Sequence, residues 1–325
     1  MADPVQPASH DHRQYRSAVE ARLFDFALAV VPRLPRRVVV GLARFAGRAA
    51  CLLARRDRRI ALANLRLAFG EALDDRQRAR IVRACFERFA LTALDYLWFS
   101  RDTRRRLARY VTFDESLAKW IRHGGPWIAV TAHFGNWELL GKYSAMQGLT
   151  LASVAKPVRN RDIDERVNAF RETMGQVVVP RQGALRTLIR VLKKEKGVVA
   201  LVLDQDTRVE EGGVFVPFFG VPASTAVGPA RVSLKTGAPL VMGFAVRRAD
   251  GRLDVEVEGP LEVPDPRAQD AVLRLTALHA ALLEARVRAR PELWFWLHRR
   301  WKTAPSAGDG AGGAGVLAAP GRDRA

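Results

Sequence analysis

Cysteine is scarce in this chain, with Cys51 and Cys85 the only two in 325 residues. Both stand in apolar helical surroundings, without metal-ligand spacing or the pattern of a disulfide framework. That excludes a disulfide-stapled secreted scaffold and predicts a domain facing a reducing compartment. Long uncharged apolar runs are missing too: the greasiest stretch, Phe24 to Ala54, is broken by Pro32, Arg33, Pro35, Arg36 and Arg37, so no segment approaches the ~20 residues of a spanning helix. The first fifteen residues lack the basic and apolar regions of a cleavable signal peptide, so membrane association is expected from the mature chain. There is no zinc-finger spacing, aromatic RNA-binding signature or dinucleotide fingerprint.

Negative charge is in short supply. The 53 Lys and Arg against 34 Asp and Glu leave a formal charge of +19, which points to a polyanionic partner: nucleic acid, an anionic membrane surface or a phosphorylated substrate. With no nucleic-acid motif present, nucleic acid is not expected. The cations gather at Arg55, Arg56, Arg58 and Arg59, at Arg104 to Arg106, and at Lys193, Lys194 and Lys196.

The length suits one large domain, taken as residues 59–303. Residues 1–14 are polar and 304–325 are rich in Gly, Ala and Pro without periodicity, so both ends are expected to be disordered. Residues 15–58 read as amphipathic, membrane-associating helices. Arg37, Arg44, Arg48 and Arg55 recur within about 40° of one helical face, and apolar residues such as Val38, Leu42, Phe45, Leu52 and Leu53 cover the rest. That pattern suits a helix lying among lipid head groups; a helix packed on its own domain with one charged stripe in water is the plainer alternative.

Further on, apolar runs at 149–155, 177–179, 198–203 and 239–246 alternate with helical segments near 162–174, 183–195 and 225–237, the rhythm of an α/β sheet. The alternation through 254–258 predicts a strand near an edge. Sites on such sheets cluster at the C-terminal ends of strands, and two segments qualify. Trp127 to Val130 reads as a buried strand, followed by His133, a turn at Phe134-Gly135, and Asn136 as the cap of a helix from Trp137 to Gln147. Asp204-Gln205-Asp206 follows the strand ending at Leu203, so it is expected to share a cleft with His133.

His133 and Glu138 are five apart in sequence, which in one continuous helix would set them about 140° apart. A turn between them lets the carboxylate bond one ring nitrogen and leave the other facing a cleft. The imidazole then acts as an oriented general base, taking the proton of an alcohol that attacks a thioester. The blander reading makes Glu138 a carboxylate at the positive end of a helix. Backbone amides at Gly135 and Asn136 are candidate oxyanion donors. Asp204 and Asp206 with a single imidazole make a thin case for metal, and a turn-forming or substrate-ordering role is preferred. Arg181 is a candidate for a substrate phosphate. Val214 to Gly220 is either core or the wall of a hydrocarbon tunnel, and Pro291 to Lys302 mixes aromatics with cations as an interface segment or a closing structural element would.

Together these segments resemble the late acyltransferases of lipid A biosynthesis, the bacterial lauroyl and myristoyl transferases related to the glycerophospholipid acyltransferases. The resemblance rests on His133-Phe134-Gly135-Asn136-Trp137-Glu138, Asp204-Gln205-Asp206, Val214 to Gly220 with Gly228-Pro229-Ala230, and Trp296-Leu297-His298-Arg299-Arg300, with Asn64 to Phe69 as a lead-in. It implies a mixed sheet flanked by helices. It also implies transfer of a fatty acyl group from acyl carrier protein to a hydroxyl of a phosphorylated, acylated glucosamine disaccharide, at the cytoplasmic face of the inner membrane. His133 and Glu138 would be the catalytic dyad, Arg181 and Asp204 further polar site residues, and no cofactor is implied. Many relatives have a clearer membrane helix, whereas arginines divide it here, so a peripheral or half-inserted mode is expected. Two rivals stay open: a phosphatidylinositol mannoside acyltransferase using acyl-CoA, and a non-catalytic basic protein that binds membranes or nucleic acid.

Overall fold

The computed structural model describes residues 8–305 apart from 156 and 182. Helix α1 (Ala8–Val30) begins inside the stretch expected to be disordered; residues 1–7 and 306–325 of the two expected tails lie outside the described residues. Helices α2 (Arg36–Leu53), α3 (Arg55–Phe69), α4 (Asp75–Trp98) and α5 (Thr103–Tyr110) follow. A capping box starts α4, with Gln77 N–H donating to the Asp74 carboxylate at 2.7 Å and the Gln77 side chain accepting from Asp74 N–H; both are donors that a helix start otherwise leaves unmet.

The α/β region then runs β1 (Val111–Phe113), α6 (Glu115–His123), β2 (Trp127–Thr131), α7 (Trp137–Met146), β3 (Leu151–Ala155), α8 (Arg161–Glu172), β4 (Val177–Pro180), α9 (Ala184–Lys193) and β5 (Val198–Val202). It continues with the hairpin β6 (Gly213–Phe218) and β7 (Val221–Ala226), α10 (Gly228–Thr236), β8 (Leu240–Arg247), β9 (Leu253–Glu258) and α11 (Ala271–Ala289). Seven strands form one sheet in the order β1-β9-β8-β2-β5-β3-β4. All neighbours are parallel except β8 and β9, so the sheet is mixed. β9 is second from the edge and alternates buried with half-buried residues.

Period-two alternation splits the core across the sheet. Ile128, Val130, Val199, Leu201, Leu240 and Met242 join the cluster under α9, α10 and α11, while Trp127, Val198, Val241, Ala245 and Val255 join the one under α6 and α7. The run from Val214 to Gly220 folds into the hairpin, and Phe218 and Phe219 are core. The aromatic and cationic segment near the C-terminus is also core: Trp294 and Trp296 are fully buried, and buried Arg300 donates to the Ser224 carbonyl at 2.6 Å and to Thr225. Asn64 holds this segment, donating to the Trp296 and His298 carbonyls at 2.8 and 2.7 Å.

α2 has three faces rather than two. Val39, Ala43, Gly47 and Cys51 are buried, and a Cβ on Gly47 would lie 2.5 Å from the Glu87 backbone, so glycine lets α2 pack closely on α4. Arg48 reaches Glu87 at 2.9 Å. A third stripe of Val38, Leu42, Phe45, Leu52 and Leu53 is exposed, and Leu23 and Phe26 of α1 are exposed as well. Arg55 starts α3, so the predicted arginine stripe ends at Arg48 on this helix. Among the described residues no helix is long and apolar enough to cross a membrane.

Candidate active site

Parallel pairing of β2 with β5 sets Thr131 opposite Val202. Two residues further on, the same register sets His133 opposite Asp204. The His133 ring Nδ1 lies 2.7 Å from Asp204 Oδ1, and the His133 backbone N–H donates to Asp204 Oδ2 at 3.0 Å. Trp294 Nε1–H donates to the same oxygen at 2.8 Å. A carboxylate accepts only, so Nδ1 carries the proton and Nε2 has a free lone pair. The ring packs against Trp137 and Phe295, with centroids 4.9 and 6.0 Å away.

Burial by itself would favour a neutral imidazole, but Asp204, by charge and hydrogen bond, and Glu138, by charge, together raise the His133 pKa above its ordinary value. For Asp204, burial would favour the neutral acid. The imidazole beside it and its hydrogen bonds to His133 and Trp294 outweigh that and hold the carboxyl below the usual range. The pair favours an ion pair on protonation, which is what a general base needs after taking a proton.

The expected bond from Glu138 to His133 is absent. Glu138 instead receives Arg171 of α8 through two bonds, Nε–Oε2 at 3.1 Å and Nη2–Oε1 at 2.7 Å, with both side chains 18% exposed. The chain turns at Gly135, with φ +62, before entering α7. His133 therefore points along the sheet toward β5, while Glu138 leaves the first turn of α7 toward α8. Only glycine fits the turn, because a Cβ there would sit 2.1 Å from the Ala245 carbonyl oxygen. Behind Glu138, one helical turn on, buried Lys142 donates to the Phe170 carbonyl and to Thr173 at the end of α8. Burial pushes its pKa down to about 7, against the pull of Glu138.

The two candidate oxyanion amides are already engaged. Gly135 N–H donates to the Leu293 carbonyl at 3.0 Å and Asn136 N–H to the Ala245 carbonyl at 2.9 Å. The Asn136 side chain does cap α7, accepting from Leu139 N–H at 3.1 Å, and it donates to buried Asp95 at 2.9 Å. Asn136 is 2% exposed and is a structural cap rather than a substrate contact. Asp206 borders the cleft, but its oxygens accept from the Thr303 amide at 3.1 Å and hydroxyl at 2.9 Å, fastening the C-terminal segment. Arg181 stands at the cleft mouth, paired with Glu211 at 2.7 Å, each about half exposed. Among the described residues no three His, Cys, Asp or Glu side chains gather as a metal would require.

His133, Glu138, Arg171 and Arg181 border one cleft of about 920 Å³. One arm follows the α7 side of the sheet from His133 past Thr131 and Ala129 to Trp127, with Gly141 and Ser144 of α7 above and Leu117 and Val257 at the far end; another enters the α9 and α10 side past Ala184, Leu188 and Val232. Small residues on both walls leave the gap. Sequence reasoning missed Arg171, which stands in no motif, and the indole of Trp294, which was visible only as part of an aromatic run.

The sequence matches the family described as bacterial lipid A biosynthesis acyltransferase over residues 9–303. It is 30% identical over 158 residues to phosphatidylinositol mannoside acyltransferase of Mycobacterium tuberculosis, covering 48% of each protein, so the matched part spans about half the length of that relative. It is 29% identical over 283 residues to lipid A biosynthesis lauroyltransferase of Escherichia coli, covering 86% of this chain and 90% of that one. It is also 28% identical over 281 residues to that organism's lipid A biosynthesis palmitoleoyltransferase, covering 84% and 88%. A match running from α1 to the segment that closes over Asp204 takes in every element that builds the site, and the chain belongs to the bacterial lipid A biosynthesis acyltransferase family.

Proposed function

We propose that this protein transfers a fatty acyl group from a carrier-protein thioester to a hydroxyl of a lipid A precursor, at the cytoplasmic face of the inner membrane. The carrying observation is His133 held by buried Asp204, with its second nitrogen free, on the wall of a cleft that reaches along the sheet to Trp127. In the reaction the acceptor hydroxyl gives its proton to His133 Nε2 as its oxygen bonds the thioester carbon. Asp204 stabilises the imidazolium. When the tetrahedral intermediate collapses, the C–S bond breaks and the thiolate takes the proton back, leaving an ester, a thiol and neutral His133. Glu138, fixed by Arg171, orders the acceptor and adds negative field at the ring. Arg181 meets a phosphate of the glycolipid or the carrier's prosthetic arm, exchanging Glu211 for it.

The cleft supports an acyl chain as occupant. Six residues of strand from His133 to Trp127 advance about 20 Å, and an extended alkyl chain advances about 1.3 Å per carbon, so roughly a dozen to sixteen carbons fit. The exposed apolar stripe of α2 with Leu23 and Phe26 of α1 supports a peripheral seat on the bilayer, with the +19 charge favouring anionic lipid. The similarity to phosphatidylinositol mannoside acyltransferases over 158 residues favours a second reading, in which a mannosylated phosphoinositide accepts the chain from acyl-CoA. Purified protein assayed with each donor and acceptor pair separates the two. Product with the lipid A precursor and carrier thioester alone supports the first reading, and product with the mannoside and acyl-CoA alone overturns it.

A further inference from the structure

A second cleft, of about 740 Å³, lies away from the acyl-transfer site, where the end of α2 meets the start of α3 and the first half of α4. Its walls carry Arg58, Arg76, Arg80 and Arg83, and no acid is among its lining residues. The nearby carboxylates are occupied: Asp75 serves Arg66 at 3.2 Å and Arg78 at 2.8 Å, and Glu87 serves Arg48 at 2.9 Å, with Arg83 at 4.0 Å. Among the described residues, Arg58 reaches only the Cys51 carbonyl, at 3.5 Å. Among the described residues, Arg76 and Arg80 have no hydrogen bond or ion pair. Folding therefore gathers four arginines against little counter-charge: Glu87 is shared with Arg48, and the first turn of α3 has Asp57 as its one acid and no side-chain cap, so the helix start adds to the positive field. A ligand with concentrated negative charge removes that repulsion, and guanidinium groups suit phosphate oxygens in pairs.

The floor is apolar. Val82 and Cys51 are buried, and Leu62 is packed against the core. Beside the cleft, Leu52 and Leu53 at the end of α2 are 68% and 81% exposed. A free inorganic anion would use the arginines and leave these surfaces wet; a phosphate carrying hydrocarbon uses both. We propose that the cleft between α2, α3 and α4 seats the phosphate of one anionic phospholipid, with its acyl chains along Leu52 and Leu53, as a site separate from the acceptor and donor sites. It goes beyond the acyl-transfer reading and does not depend on it.

The test is native mass spectrometry of the full chain in detergent, titrated with phosphatidylglycerol or with phosphatidylcholine. Arg58→Gln/Arg80→Gln is compared with Arg104→Gln/Arg105→Gln, which removes the same charge from α5. Wild type and the α5 variant are expected to hold one phosphatidylglycerol more tightly than phosphatidylcholine. The cleft variant should bind it about tenfold more weakly or worse, with acyl transfer in detergent unchanged. Arg80→Gln alone, on an exposed position, should show a smaller loss and guards against misfolding of the double variant. Equal lipid affinity in the cleft and α5 variants overturns the proposal. So does displacement of the lipid by inorganic phosphate at matching concentration, which would make this a soluble-anion site, and so does a cleft variant that loses carrier-protein binding while keeping the lipid.

Discussion

At the ends of β2 and β5 one carboxylate, Asp204, accepts from a ring, a backbone amide and an indole, and its side chain is 3% exposed. Across the same cleft, Glu138 is held by one guanidinium from the last turn of α8, and both partners keep some contact with water. The first arrangement is set by sheet register, so it cannot shift without breaking the β2–β5 ladder. The second depends on two long, partly exposed side chains on separate helices, outside the strand ladders, and it has freedom to rearrange around a bound substrate. A fixed carboxylate suits the task of holding one tautomer. A less constrained one suits contact with an incoming hydroxyl.

Removing the base has the largest expected effect. His133→Ala should lower acyl transfer by ~10² or more while vesicle binding is unchanged, as co-sedimentation would show; wild-type protein with no transfer from any donor would instead favour a purely membrane-binding protein. Asp204→Asn should come next, losing about 10² in kcat. Glu138→Gln and Arg171→Ala should each lose less, and the double variant should be little worse than the weaker single one, because the two act as a unit. Additive losses in that cycle would separate them. For the outer helices, Phe45→Glu with Leu42→Glu should reduce vesicle binding several-fold and leave turnover of detergent-dispersed substrate near wild type. Gly135→Ala is read in stability rather than turnover: it is expected to cost about 3 kcal/mol, seen as a lowered denaturation midpoint.

Much of the α/β region was legible from residues alone. Strands within 127–130, 149–155, 177–179, 198–203 and 239–246, and the Asn136 cap, emerge from apolar runs and turn chemistry that act locally, and the structure places elements there. Placing His133 and Asp204 at strand ends that share a cleft needed only the rule for sites on such sheets; that β2 and β5 are neighbours is seen only in the structure. What local pattern cannot carry is which partner a side chain meets across the sheet. The nearness of Glu138 in sequence favoured it as the orienter, yet register brings Asp204, 71 residues away, directly alongside. Arg171 was invisible for the same reason, since nothing within its own helix marks it as the partner of α7. The engaged amides of Gly135 and Asn136 depend on β8 and on Leu293, both remote in sequence. α2 shows a mixed outcome: its charge and apolar periodicity was readable, but the buried stripe of Val39, Ala43, Gly47 and Cys51 depends on how α4 meets it.

On this geometry Asp204, rather than Glu138, sets the protonation of His133. The pH dependence of kcat/KM for wild type, Asp204→Asn and Glu138→Gln tests this most directly. Because Asp204 raises the His133 pKa and neutral imidazole is the active base, wild-type activity should fall as pH drops through a value above the ordinary imidazole pKa. Removing the Asp204 charge should move that limb to clearly lower pH, and Glu138→Gln should move it in the same direction by much less. A limb that stays in place in Asp204→Asn and shifts in Glu138→Gln would contradict the account.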